Sequence, residues 1–412
     1  MAHIGIVGGG IIGCATALHL LDRGHQVTVI ERDAGGLPAS VGNAGILAAP
    51  EIDPIARPGM LLSAPGWLLD PLGPLTVRWK DLPSLLPWLT RFLLSSRPGQ
   101  VEQSRRALTF LMRTAAADHA SMAKMAGISG YIRKTGALTI FDTEAARDKA
   151  FAHEVENARL LGGFDIEKLD AAEARRRVPA LSGNFAGAVF NQGYQTFEYP
   201  LTFLRRLQAS IRERAAFIDA AVSSIEWNDQ GISVRTEAQN THRFDKVVVA
   251  AGVWSKALVE RLGLQVLLET ERGYNTTFVN PSVTLEMPVF FSEHGFVATP
   301  FENMLRVGGA VEMAKPDTAA NYARAAAMRK KMRRYVPELP DDGGTEWMGR
   351  RPSTPDSIPV IGLHPGDPRI AFAFGHGHLG LTLSAATGRH VAALFAGQAS
   401  PELDAFSIRR FQ

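Results

Sequence analysis

The sequence is poor in cysteine, with one residue in 412. A single thiol closes no intramolecular disulfide, which excludes a stapled secreted scaffold and a zinc site built on cysteines; no metal ligand set is expected. An excess of charge of either sign is also lacking. There are 44 Lys and Arg against 41 Asp and Glu, a net +3, and no basic block. That balance leaves no electrostatic footprint for nucleic acid. Low-complexity linkers and internal repeats are absent too, so the domains are expected to share segments rather than follow one another like beads. What is present is 46% hydrophobic and 21% charged residues, which excludes disorder and suffices for large cores in two or three domains. A soluble, cytoplasmic, multi-domain protein is expected.

Long uninterrupted apolar runs are scarce. Residues 4–21 are apolar, but they lack a basic leader and a cleavage site, carry glycines at 8, 9, 10 and 13, and end at Asp22 and Arg23. Strand, turn and helix is the better reading. Residues 60–94 are cut by Pro65, Pro71, Pro74, Pro83 and Pro87; their 82–94 portion is expected to pack on a core or domain interface, with a peripheral contact at the inner face of the cell membrane as the alternative.

Residues 3–32 read as β-α-β: a buried strand at 3–7, a glycine turn, a helix at 11–23 and a β-branched strand at 26–31. Helices are predicted at 100–126, 144–161, 201–214 and 380–396, and a strongly basic amphipathic one at 318–335. Residues 130–141 read as a strand pair, 217–227, 232–236 and 244–250 as strands, 265–312 as further short strands, and 370–374 as a last one. Gly8-Gly9-Gly10-Ile11-Ile12-Gly13 then matches G-x-G-x-x-G between strand and helix. The first glycine permits the tight turn, the second the approach of a pyrophosphate, and Gly13 close packing of helix on sheet. Glu31 ends the second strand 18 residues after Gly13, where a carboxylate binds ribose hydroxyls. Cys14 reads as a buried packing residue. The fingerprint fits NAD or FAD. The small, Gly-rich segment Ser40-Val41-Gly42-Asn43-Ala44-Gly45 suits wrapping a second extended part of a cofactor and favours FAD. The buried strand before Ala251, Gly252 and Trp254 ends where backbone must come close to something.

At these residues the chain resembles the D-amino-acid oxidase-like flavoproteins, the group of D-amino-acid dehydrogenases, glycine oxidase and sarcosine oxidase. The resemblance is carried by Ile6-Val-Gly-Gly-Gly-Ile-Ile-Gly, by Ser40 to Gly45, and by Val247-Val-Val-Ala-Ala-Gly-Val-Trp-Ser. A C-terminal pair completes it: Gly349-Arg-Arg-Pro-Ser-Thr-Pro-Asp-Ser-Ile-Pro-Val-Ile-Gly and Gly375-His-Gly-His-Leu-Gly-Leu-Thr-Leu-Ser-Ala-Ala-Thr-Gly. It implies an α/β (α+β overall) fold, in which a Rossmann-like FAD-binding domain interleaves with a substrate domain on a mainly antiparallel sheet. The FAD-binding domain would take 1–55, most of 141–262 and 345–412. The substrate domain would take most of 56–140, with a helical insertion, and 263–344. FAD would be held non-covalently, since the only cysteine is Cys14. Glu31 and Arg32 would hold its adenosine end and Val222 would meet the adenine. Ser40, Asn43, Ala44, Gly45 and Ile46 would pass the flavin, with Gly377, His378, Leu379, Gly380, Leu381 and Thr382 on its pyrimidine side.

The resemblance further implies oxidation of a D-amino acid by hydride transfer from Cα, with a quinone, a carrier protein or oxygen as electron acceptor. Arg351 would anchor the substrate carboxylate, because a guanidinium pairs with it in bidentate fashion. Arg350 would point away. Where relatives place a tyrosine this chain offers Phe296, so Tyr274 is a candidate replacement donor. His378 stands where glycine oxidase has a second arginine, and His376 is expected to face elsewhere; Pro50 and Glu51 are further candidates to line the pocket. An apolar Phe296 wall and His378 would suit a compact cyclic substrate such as D-proline or cis-4-hydroxy-D-proline. The alternatives are a glycine- or sarcosine-type oxidase and a flavin-bearing subunit of an amine or opine dehydrogenase complex. Nothing in the sequence selects an oligomeric state.

Overall fold

The structure, a computed structural model, describes residues 1–33, 38–58 and 75–412. Two large sheets organise it. The first has six strands in the order Ala216–Asp219, Gln26–Glu31, His3–Val7, Lys246–Val249, Asp367–Phe374, Val360–His364. All neighbours run parallel except the last pair. Buried on both faces, its central strands read as continuous apolar runs, Ile4 and Ile6 or Val247 to Val249. One face is covered by the helices Ile11–Asp22, Gly380–Phe395, Ala115–Ala126 and Pro200–Arg212, packed around Leu18, Leu20, Phe203 and Leu383. The other carries a small antiparallel sheet, Val222–Asn228, Gly231–Thr236 and Thr241–Phe244, with the helix Ser255–Arg261.

The second sheet runs Thr345–Ser353, Glu269–Val279, Met304–Met313, Phe296–Phe301, Val289–Phe291, Ala137–Phe141, Gly187–Asn191, Ile166–Asp170, with Leu75–Val77 against Met304–Met313. It is antiparallel apart from two parallel pairings. Ile166–Asp170 and Gly187–Asn191 therefore lie in this sheet, although they fall inside the 141–262 range expected for the cofactor domain. So does Thr345–Ser353, which falls inside 345–412.

Several local expectations differ. Residues 130–141 do not pair with each other: Ile132–Arg133 joins Gln195–Phe197, while Ala137–Phe141 enters the large sheet, and Gly136, at φ 67°, turns the chain between them. The strand expected over 217–227 divides at Ala220 and Ala221, where the parallel pairing with Glu31 ends and a different sheet begins. The basic helix expected at 318–335 is confined to Ala323–Met332. Its preceding residues turn the carbonyls of Lys315, Pro316, Thr318 and Ala319 onto the buried Arg272 guanidinium. Pro337 forbids continuation at the other end. The 60–74 part of the apolar 60–94 region lies outside the described residues. Its remainder forms the helix Leu82–Ser95, burying Leu85, Trp88 and Phe92 and exposing Leu86, Leu93 and Leu94. Among the described residues no helix is long and apolar enough to cross a membrane.

Candidate active site

A cavity of about 1040 Å³ runs between the two sheets. It begins at the carboxyl ends of the parallel strands, at Val7, Ile30, Glu31, Ala250 and Phe374, where ligands of such sheets bind. The glycine turn forms its floor. Gly8 sits at φ 112°, and a Cβ there would overlap the Ala250 carbonyl oxygen. Gly13 lies behind the turn, outside the lining, where a Cβ would overlap the Gly8 carbonyl oxygen; it sets helix against strand as expected. Gly10, the N-cap, contributes no capping side chain, so with Ile11 and Ile12 the helix start faces the cavity. Cys14 is fully buried and its thiol donates to the Gly9 carbonyl at 3.2 Å. Burial first, then the Glu31 charge, pushes that thiol up to about 12.

Glu31 accepts a hydrogen bond from the Gly9 N–H at 2.5 Å, so its carboxylate sits at the turn as well as on the cavity wall. The Arg32 guanidinium lies over the Trp254 ring, 4.4 Å from its centroid, and both border the same end with Val222, Ala251 and Gly252. The loop after residue 38 closes over the middle. Ser40 Oγ accepts from the Ile11 N–H at 3.1 Å, and Asn43 donates to the Ser40 carbonyl while accepting from the Gly45 N–H. Ser40, Asn43, Ala44 and Ile46 line the cavity. Gly45, with φ 66°, and Thr382, whose hydroxyl accepts from the Ala48 N–H, hold this wall from behind. At the far end Gly377, His378, Leu379, Gly380 and Leu381 bring in a second helix N-terminus without a side-chain cap, well placed to stabilise negative charge.

The wall beside this helix start is built on two antiparallel neighbours, Glu269–Val279 and Thr345–Ser353. Glu271 and Arg351 stand directly opposite each other, and Arg351 Nη1 donates to Glu271 Oε1 at 2.8 Å. The other carboxylate oxygen accepts from the Ser353 hydroxyl at 3.0 Å. Burial alone would push the Glu271 carboxyl up, but the Arg351 guanidinium, aided by His378 and Ser353, holds it below the usual range. Arg351 is thus already ion-paired, yet its side chain keeps 27% of its exposure at the cavity, so donors remain for a second carboxylate. A Cβ on Gly273 would overlap its Nη2, so only glycine at 273 lets the guanidinium lie there. His378 is exposed at the cavity wall. Desolvation, with Arg351 and Arg57, lowers its pKa against the pull of Glu271 and Glu51.

Two expected substrate contacts are placed elsewhere. Phe296 is buried in the core of the second sheet, stacked on Phe291 at 4.5 Å, and does not line the cavity. Side chains alternate along a strand, so Val297 takes the cavity face and Phe296 the opposite one. Tyr274 borders the cavity, but its hydroxyl donates to Glu312 Oε2 at 2.5 Å and accepts from the Asn321 N–H, leaving no proton to donate to a substrate. Arg350, expected to point away, also borders the cavity; its Nε donates to the Pro316 carbonyl at 2.7 Å. Glu51 lines the cavity and accepts from the Tyr194 hydroxyl at 2.9 Å. His376 is packed against Thr387 at 2.9 Å, and burial pushes its pKa down to about 3.

The model of the DAO family, FAD dependent oxidoreductase, matches residues 3–394. This chain belongs to that family. It is 34% identical to a D-amino-acid oxidase of Bradyrhizobium diazoefficiens, over 99% of each chain. It is 30% identical to a D-amino acid dehydrogenase of Methylobacterium radiotolerans, over 97% of each. Among solved structures, glycine oxidase from Geobacillus kaustophilus superposes with a TM-score of 0.78 at 23% identity, covering 99% of both chains, a likeness of fold. FAD is the cofactor of this oxidoreductase. The cavity fits it: the glycine turn is a backbone cradle that a Cβ at Gly8 or Gly13 would force apart, and two uncapped helix starts face an extended space.

Some residues that build the site carry no local sequence signal. Arg306, from the second sheet, donates to the carbonyls of Val41 and Asn43 and thereby pins the Ser40–Gly45 loop. Asn275 does the same at the Gly42 carbonyl, 2.7 Å away. Glu271 and Gly273 flank Arg272 just before Tyr274 and belong to no motif of their own.

Proposed function

We propose that this FAD dependent oxidoreductase oxidises a D-amino acid to its imino acid. The single observation that carries the reading is Arg351, a guanidinium at the flavin end of the cavity with donors left for a carboxylate. The 34% and 30% relatives, named D-amino-acid oxidase and D-amino acid dehydrogenase, support it. FAD, when bound, supplies the acceptor for the hydride that leaves Cα. The chain's own work is to hold the carboxylate through Arg351, to keep that guanidinium in place through Glu271 and Gly273, and to shield the reacting face. His378, on the cavity wall beside Glu271 and Arg351, is placed to accept a hydrogen bond from the substrate amine.

The compact cyclic substrate rested on a Phe296 wall, and that wall is absent from the cavity, leaving His378 as its support. A membrane-surface contact along 82–94 has the exposed Leu86, Leu93 and Leu94 in its favour. The deciding experiment is a panel of D- and L-amino acids, glycine and sarcosine, run once with oxygen and once with a dye acceptor. D-amino acids should bleach the flavin absorbance and turn over; L-enantiomers turning over as fast would overturn the reading. The faster of the two acceptors assigns the enzyme as oxidase or dehydrogenase.

A further inference from the structure

We propose that a second chamber, beneath the helix Leu82–Ser95, receives the side chain of the substrate and selects a large apolar or aromatic one. The inference rests on the amino-acid reading above and names its substrate class. The chamber holds about 330 Å³. Its mouth is shared with the reactive end of the larger cavity: Ile55, Glu271, Val311 and His378 border both. A substrate whose carboxylate reaches Arg351 therefore stands at this mouth, with the chamber open to the group that its α-carbon carries.

Past the mouth the walls are mostly hydrocarbon. Trp88 and Phe92, four residues apart on one face of the helix, stack at 5.1 Å. The indole N–H is taken by the Ser353 carbonyl at 3.0 Å, so Trp88 offers the chamber its ring alone. Leu89, Val77 and Met313 complete this wall. Several of the polar groups at the rim already have partners. Both oxygens of Glu271 are engaged, by Arg351 and Ser353, and Glu293 accepts from the Asp142 N–H. A cationic or strongly polar side chain would lose much of its hydration against this hydrocarbon wall. A methyl group or a pyrrolidine ring would leave much of the wall without contact. An isobutyl or benzyl group gains from both.

Discrimination in such a pocket amounts to roughly tenfold or more per methylene. With the holoenzyme, kcat/KM for D-phenylalanine and D-leucine should exceed that for D-alanine and D-proline by at least about tenfold. Leu89→Trp, which adds bulk from a half-buried position, should lower the D-phenylalanine to D-alanine ratio by about tenfold. A second measurement needs no turnover. Acetate, butyrate and hexanoate titrated against the flavin absorbance of the wild-type holoenzyme should bind progressively tighter. D-alanine or D-proline preferred over both bulky substrates, or equal affinity for the three carboxylates, would overturn the subsite. Should no D-amino acid bleach the flavin while carboxylate affinity still climbs with chain length, the D-amino-acid reading falls and the apolar subsite stands.

Discussion

Arg351 is held from two sides, by a carboxylate opposite it and by the bare backbone of Gly273 beneath it. Removing the guanidinium takes away the carboxylate anchor and strands Glu271 as a buried unpaired charge. Arg351→Ala should lower kcat/KM by about a hundredfold, through KM more than kcat, and cost about 3 kcal/mol of stability, with FAD still bound. Steady-state kinetics and the flavin spectrum of the purified variant check this; near-normal kcat/KM would remove Arg351 from the site. Gly273→Ala leaves every charge in place and only displaces the guanidinium. A KM raised about tenfold with unchanged FAD content is expected, and an unaltered KM would mean that the guanidinium's seat is not needed.

At the scale of elements, the site depends on two helices whose N-termini reach the cavity, Ile11–Asp22 and Gly380–Phe395. They pack against each other: a Cβ on Gly388 would overlap the Ala15 backbone. The approach of the first helix to its strand is set at Gly13, where the obstructing atom is a backbone oxygen with nowhere to go. Gly13→Ala should therefore weaken FAD by at least about tenfold, measured by reconstituting the apoprotein, while a distant helix variant such as Ala326→Gly leaves FAD affinity unaltered. These elements were legible because each carries its own periodicity and its own punctuation of glycines. The helix Ala323–Met332 was legible only in its centre, because its expected first turn serves the Arg272 guanidinium instead. The strands near 132 and 219 depart from the local pattern because their pairing partners come from distant segments.

The whole molecule stores a pH dependence in its buried histidines. Burial pushes His19, His119 and His390 down to about 4 and His376 to about 3. An unfolded histidine takes up its proton near pH 6.5, so the unfolded state binds more protons throughout that window. Their contribution to stability is complete above about 6.5 and is lost as pH falls toward 4, by about 2 kcal/mol for a fully buried histidine at pH 5. Glu154 works in the other direction: burial raises it to about 7, and its contribution fades as pH rises from the ordinary carboxyl range to that value. One carboxyl does not offset four histidines. The Tm of the holoenzyme should fall by several degrees between pH 7 and pH 5; a flat or rising Tm over that interval would refute the account.

The β-α-β unit of residues 3–31, the glycine turn, the Ser40–Gly45 loop and the C-terminal pair of motifs are each determined within short stretches of chain, because a dinucleotide constrains backbone locally. Arg351 follows from the family resemblance of Gly349-Arg-Arg-Pro. Its pairing with Glu271, its seat on Gly273 and the clamp of Arg306 and Asn275 on the Ser40–Gly45 loop needed the second sheet. So did the face on which Phe296 lies, since a displacement of one residue along a strand exchanges cavity for core. The apolar chamber needed most of the fold: its walls come from a helix, a loop and several strands whose distance in sequence hides that they meet. Backbone geometry toward the cofactor is written locally, whereas the choice of substrate depends on which side chains the packing of distant segments turns inward.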